Sequence, residues 1–244
     1  MKPTIRVYLE DSYLKELSAT LITYLCERHD RCYLVLDKTI FHPRGGGQPS
    51  DIGLIRGGEL EFRVTKVLDV NGVLVHYGKV VSGKPEQGLA VNVSLDWGHR
   101  YLTMRHHTAG HILDYAIAKT YGGVVNTLDA FHGPPESFIV YGSRLVPSGS
   151  ELEVIEKYAN EIVQQSRVVR VFWVKAEELP LRAYNAPNLQ RLPSADVYRV
   201  VEIEGVNAIP CTGTHVKNTI EVGEVKVLRA EHHPEGFKLI YTVR

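Results

Sequence analysis

The chain has 244 residues, 44% of them apolar, and its 28 basic side chains are balanced by 28 acidic ones, so the net charge is zero with histidine neutral. That length suits one large domain or two modest ones, and the apolar content excludes a disordered chain. Zero net charge removes any composition-level argument for a polyanion partner, and no apolar run approaches the roughly 20 residues of a membrane helix; without a signal-peptide core at the N-terminus, a soluble cytoplasmic protein with no membrane partner is expected.

In chain order, Thr4 to Leu9 reads as a first strand. The run Ala19 to Leu25 is ambiguous between strand and helix, and Tyr33 to Asp37 is a clearer strand. Three cysteines are too few for a disulfide scaffold. With Cys211 set aside for a metal, Cys26 and Cys32 remain; free thiols in a reducing compartment are the plainer reading, a bridge the other.

Phe41 to Gly53 holds Gly45, Gly46 and Gly47 between Pro43 and Pro49, which neither a helix nor a regular strand interior tolerates. From glycine content alone, a wide connection between strands is the plainer reading, and a backbone surface approaching a ligand is the alternative. Short β-like runs follow at 62–68, 73–77 and 89–95, with a turn at Asn71-Gly72. Such spacing predicts a small antiparallel barrel or sandwich over residues 1–95.

Asp96 is a plausible cap for a helix over 97–121 that stops at Gly122-Gly123. Its stripe Leu102, Ile112, Leu113, Ala116 and Ile117 is read as buried. A loop-rich stretch is expected over 124–135, then a strand at 138–141, a helix at 152–165, strands at 168–174 and 197–203, and a terminal hairpin of 224–229 with 237–243. Residues 96–244 are therefore expected to be an α+β domain with an antiparallel sheet.

His107 and His111 lie one helical turn apart, and Cys211 and His215 repeat that spacing. Eleven histidines give roughly half a His-x3-His pair by chance, whereas Cys-x3-His is rarer at about 0.1, so the joint pattern points to one zinc ion held by four ligands. Three neutral imidazoles and a thiolate leave such a site with a formal charge of plus one, able to polarise a carbonyl or a water. The residues between the histidines are Thr108, Ala109 and Gly110, so the general base of a His-Glu-x-x-His protease is absent. The deaminase pattern, His-x-Glu with Cys-x-x-Cys, is absent as well.

Taken together, His107-Thr108-Ala109-Gly110-His111, Cys211-Thr212-Gly213-Thr214-His215-Val216 and Phe41 to Gly53 resemble the editing domain of alanyl-tRNA synthetase. With no aminoacylation domain in the sequence, the chain looks like the free-standing AlaX type that carries an N-terminal barrel. The zinc quartet is shared with the threonyl-tRNA synthetase editing domain; Gly45 to Pro49 points to the alanyl side and favours a functional loop. The resemblance implies hydrolysis of serine, and also glycine, from mischarged tRNA(Ala), with one zinc per chain. His42 stands where Tyr is common, Arg44 where Glu is common, and His106 where a bulky residue is expected.

For mechanism, Thr108 is placed to offer a hydroxyl to substrate or water, and His132 resembles a further pocket residue. Arg44, Gly45, Gly46, Gly47 and Gln48 are candidates for positioning the acceptor end, and Arg100 and Arg105 for meeting phosphates; loop shaping and a solvated helix face explain these equally well. Two rival activities stay open: a zinc-stabilised tRNA-binding module without hydrolysis, and a zinc hydrolase of small esters or amides.

Overall fold

Alternation of apolar and polar residues lets a single sheet close on its own core in the first part of the chain. In the computed structural model, which describes residues 1–27 and 30–244, the chain divides into two units, Met1–Tyr101 and Leu102–Arg244. The first contains β1 (Ile5–Arg6), β2 (Glu16–Cys26), β3 (Arg31–Leu36), β4 (Lys38–Thr39), β5 (Gly53–Gly57), β6 (Leu60–Val70), β7 (Val73–Ser82) and β8 (Ala90–Leu95). Six of these close a barrel in the order β2-β3-β7-β6-β5-β8, every neighbour antiparallel. Leu21, Leu34, Leu36, Ile55, Phe62, Leu74 and Val93 fill it. On β6 the inward residues Leu60, Phe62 and Val64 are followed by Val67, because a register shift after Val64 moves the phase by one.

The ambiguous run 19–25 is strand, since β2 pairs on both sides, with β3 and with β8. The expected strand at 4–9 is only the two-residue β1, paired in parallel with β4, followed by a short 3-10 turn. Asn71 and Gly72 both take positive φ in the two-residue turn joining β6 to β7, as that dipeptide predicts.

Cys26 and Cys32 are not free thiols but a disulfide. The β2–β3 register sets them directly opposite each other, with Cα atoms 4.0 Å apart. Pairing register is a tertiary fact that a spacing of six residues does not reveal.

His76 of β7 is fully buried in the barrel core. Its Nδ1 lies 3.1 Å from the Leu34 carbonyl and its Nε2 2.9 Å from Thr39 Oγ1. A carbonyl only accepts, so Nδ1 carries the proton and Nε2 accepts from the threonine. Burial lowers the pKa from 6.5 to about 4. The unfolded chain therefore binds the extra proton first: this stability is complete above 6.5 and is lost as pH falls towards 4, by about 3 kcal/mol in total. Urea unfolding between pH 7 and 4 is expected to be steeper in pH for the wild type than for His76→Gln; parallel pH profiles would refute the assignment.

The second unit takes up α1 (Trp97–Tyr121), within which the unit boundary falls, and continues with β9 (Thr127–Phe131), β10 (Ser137–Tyr141), α2 (Gly149–Gln164), β11 (Val169–Lys175), α3 (Leu179–Arg182), β12 (Val197–Ile203), β13 (Asn207–Pro210), β14 (Val225–His233) and β15 (Gly236–Val243). Two antiparallel sheets result, β14-β15-β10-β9 and β11-β12-β13. The whole is a mixed α+β architecture.

The Asp96 side chain accepts the His99 N–H at the start of α1, and Gly122 takes φ +73 just beyond its end. Two strands differ from expectation, β9 inside the predicted loop and the short β13 before Cys211. Helix α2 starts at Gly149, three residues earlier than its apolar pattern, because Ser148 and Glu151 form a capping box there. Among the described residues no helix is long and apolar enough to cross a membrane.

Candidate metal centre

Helix α1 carries His107 and His111 on one face, and the segment leaving β13 brings Cys211 and His215 to it. One ligating atom from each of the four lies within 4.8 Å of the others. Cys211 Sγ is 3.5 Å from His107 Nε2 and 3.5 Å from His215 Nε2. A tetrahedral zinc with bonds of about 2.3 Å to sulfur and about 2.05 Å to nitrogen has S···N edges of about 3.6 Å, so the donor spacing fits. The buried His111 Nδ1 has no hydrogen-bond partner among the described residues, so no hydrogen bond there fixes the tautomer of this ring against ligation.

Side chains around the quartet hold it in shape. Arg199 of β12 is buried and donates through Nη1 to the carbonyls of Cys211 and Gly213, at 2.7 and 2.9 Å. Burial raises the Cys211 thiol pKa, while Arg199 and the Gly213 N–H act to lower it. Burial, with Arg199 adding to it, lowers His111 to about 3, which keeps the imidazole in the neutral form a metal requires. Asn207 donates to the His111 carbonyl at 2.7 Å and ties β13 to α1.

Thr108 is fully buried, and its Oγ1 accepts the Val216 N–H at 3.2 Å and lies 3.1 Å from His215 Nδ1. With Nε2 aimed at the centre, Nδ1 is the protonated nitrogen and donates to Thr108, so this hydroxyl orients a ligand. Only its own hydrogen is left for a substrate.

His132 follows β9 and stacks on His107 with ring centroids 4.5 Å apart. Tyr241 donates its single hydroxyl proton to the His106 carbonyl, so the 2.7 Å contact between that oxygen and His132 Nδ1 must be a donation from His132. Nε2 is thereby the acceptor nitrogen. Burial first, then His111 and His106, lowers the ring to about 3 and keeps it neutral. A Cβ on Gly110 would stand 2.5 Å from His132 Cε1, so glycine inside the histidine pair is what lets the ring close over the helix. Gly110, Tyr241 and Arg199 were not singled out by sequence reasoning. The glycine on a buried helix face was the one available signal.

The proposed acceptor-end residues have mixed surroundings. Gly46 and Gly47 take φ +58 and +78 in a two-residue turn closed by paired backbone bonds between Gly45 and Gln48, at 3.1 and 3.0 Å. Glycine is required there by conformation. Gln48 is buried, whereas Arg44 is exposed. Arg100 is not a surface cation. It is fully buried, ion-paired with Asp51 and donating to the carbonyls of Ser12 and Ile40, so its charge is met inside the protein rather than at a solvated helix face. Arg105 is half-buried and donates through Nε to the Val222 carbonyl and through Nη2 to the backbone oxygen of Arg244. His106 is buried against Ser137, Nδ1 to Oγ at 2.8 Å.

Two known sequence families match this chain. "tRNA synthetases class II (A)" covers residues 17–99, and "Threonyl and Alanyl tRNA synthetase second additional domain" covers 198–241, which includes Cys211 and His215. The chain is similar to the alanine–tRNA ligase of Ignicoccus hospitalis, 34% identical over 241 residues that make up 96% of this chain and 25% of that protein. It is similar to the alanyl-tRNA editing protein AlaX-L of Pyrococcus horikoshii, 35% identical over 229 residues, 92% of this chain and 54% of that protein. The alanine–tRNA ligase of Korarchaeum cryptofilum is 36% identical over 235 residues. The chain thus spans between a quarter and about half the length of these relatives. Along almost its whole length the chain is therefore similar to a region shared by alanine–tRNA ligases and the alanyl-tRNA editing protein AlaX-L, and its last part matches the second additional domain of threonyl and alanyl tRNA synthetases.

Proposed function

We propose that this chain is a trans-editing hydrolase of the cytoplasm that deacylates mischarged tRNA(Ala), chiefly Ser-tRNA(Ala) and also Gly-tRNA(Ala). Residues 96–244 act as the deacylase domain and residues 1–95 as an accessory barrel, with Arg44 and the turn Gly45 to Gln48 directed at tRNA. The observation that carries this reading is the convergence of His107, His111, Cys211 and His215 in a chain that aligns along almost its full length with alanyl-tRNA editing and ligase proteins.

These four residues would hold one Zn2+. A bound zinc supplies Lewis-acid polarisation of an ester carbonyl or of water. His132 Nε2, an acceptor beside His107, is available to take a hydrogen bond from water or from the substrate's ammonium. The Thr108 hydroxyl hydrogen is available to a seryl side chain. In the reaction, water oxygen bonds to the ester carbon and the ribose oxygen leaves with a proton.

The test compares Ser-tRNA(Ala), Ala-tRNA(Ala) and a seryl ester lacking tRNA. Serine is expected to be released at least about 100-fold faster than alanine, and much faster from tRNA than from the small ester. Binding without release would leave a tRNA-binding module. Equal rates on the small ester would make the protein a general esterase.

A further inference from the structure

The three-stranded sheet β11-β12-β13 has two unlike faces. Val174, Val200 and Ala208 form one, packed with Leu179 and Phe172 into a small core of their own. The opposite face carries Ile203, Val201 and Arg199 of β12 beside Asn207 and Ile209 of β13, and Asn207 bonds to the His111 carbonyl, so this face looks onto the metal helix.

Strand β11 is an edge, and its residues on that same face are Val169, Val171, Trp173 and Lys175. Trp173 stands directly opposite Arg199, and Arg199 accepts the Cys211 N–H at 2.9 Å on its other side. Trp173, Arg199 and Cys211 therefore form one row that runs from β11 through β12 to the residue just after β13. Two strand spacings put the Trp173 Cα about 10 Å from that of Cys211.

Along this row burial changes abruptly: Arg199 is 3% exposed and Trp173 47%. Val171, the previous residue on this face, is also exposed. Among the described residues the Trp173 ring has no aromatic or cationic partner and its Nε1 no acceptor. Trp173 and Val171 thus leave a two-residue apolar patch half-exposed on the strand edge, beside a face that is otherwise buried at Val169, Arg199 and Val201.

We propose that Trp173 is the stacking platform for the 3′-terminal adenine of the substrate tRNA. This rests on the deacylase reading above, because the scissile ester joins the amino acid to the ribose of that nucleotide. With the ester at the quartet, the attached base lies one nucleoside away, which is the span from Cys211 to Trp173. Base–aromatic stacking needs an exposed ring face, and an edge strand supplies one. Lys175, exposed and one pleat further on the same face, is placed to meet the adjoining phosphate, although its ammonium also lies 3.9 Å from Glu177.

Trp97 is the only other tryptophan, so Trp97→Phe in the full chain makes Trp173 the sole indole reporter. Uncharged tRNA(Ala) is expected to quench its fluorescence, and tRNA(Ala) trimmed of the terminal adenosine to lose most of that quench. Trp173→Ala is expected to raise KM for Ser-tRNA(Ala) roughly 5- to 150-fold, the equivalent of about 1–3 kcal/mol of stacking, with kcat little changed and Trp173→Phe restoring KM. Equal quenching by both tRNAs, no quenching, or an unchanged KM overturns the proposal. Quenching that follows protein concentration alone also overturns it and gives the edge to a second copy of the chain. If the wild type releases no serine, the deacylase reading fails, and the difference between intact and trimmed tRNA still decides what Trp173 contacts.

Discussion

Cys211→Ala is expected to lower bound zinc from one per chain to well under a tenth and to slow serine release from Ser-tRNA(Ala) by roughly 1000-fold. The substitution removes the one anionic donor of the four and both of the 3.5 Å contacts that it makes with His107 and His215. Three neutral imidazoles bind a divalent cation far more weakly than the same set with a thiolate. Thr108→Ala leaves every ligand in place but removes the acceptor that orients His215, so its metal affinity is expected to fall by only about 10- to 100-fold. Elemental analysis after non-chelating purification, with far-ultraviolet dichroism as a check on folding, separates the two. A Cys211→Ala protein that keeps its zinc would remove Cys211 from the ligand set, and one that loses zinc yet keeps its activity would remove the metal centre from the mechanism.

Such a site was legible early because its signals are local. The spacing of four within His107–His111 and within Cys211–His215 survives whatever the rest of the fold does, and both ends of α1 are marked by Asp96 and Gly122 within a residue or two. What escaped reading depends on pairing across distance. Thr127 to Phe131 has too few residues to show alternation, yet as β9 it delivers His132 onto His107. Cys26 and Cys32 become a disulfide only through the β2–β3 register. Arg100 next to a metal helix looks like a cation for phosphate until its partner Asp51, 49 positions earlier, is brought beside it. Glycines were misleading in both directions. The conspicuous Gly46 and Gly47 are first of all a turn requirement, whereas the inconspicuous Gly110 makes room for a ring in the site.

The Arg100–Asp51 pair carries the second large effect. Both side chains are essentially without solvent exposure, and the Asp51 carboxylate also accepts the His42 N–H, while the Asp51 N–H donates to the His42 carbonyl at 3.0 Å. One carboxylate thus closes the 42–51 loop on itself and neutralises a buried guanidinium. Asp51→Asn keeps size and shape but leaves that guanidinium with no counter-charge, and breaking a buried pair from one side costs about 3–5 kcal/mol. Arg100→Met is expected to cost a similar amount, since it strands the carboxylate and the carbonyls of Ser12 and Ile40. The double variant has no isolated buried charge and is expected to lose far less than the sum of the two, a coupling that a double-mutant cycle reads directly. The two units need not unfold together. Trp97 belongs to the first and Trp173 to the second, so a Trp173→Phe background lets Trp97 report the barrel unit alone. Urea midpoints there should fall sharply for Asp51→Asn; a loss below about 1 kcal/mol would mean that solvent or a neighbouring group already screens the pair.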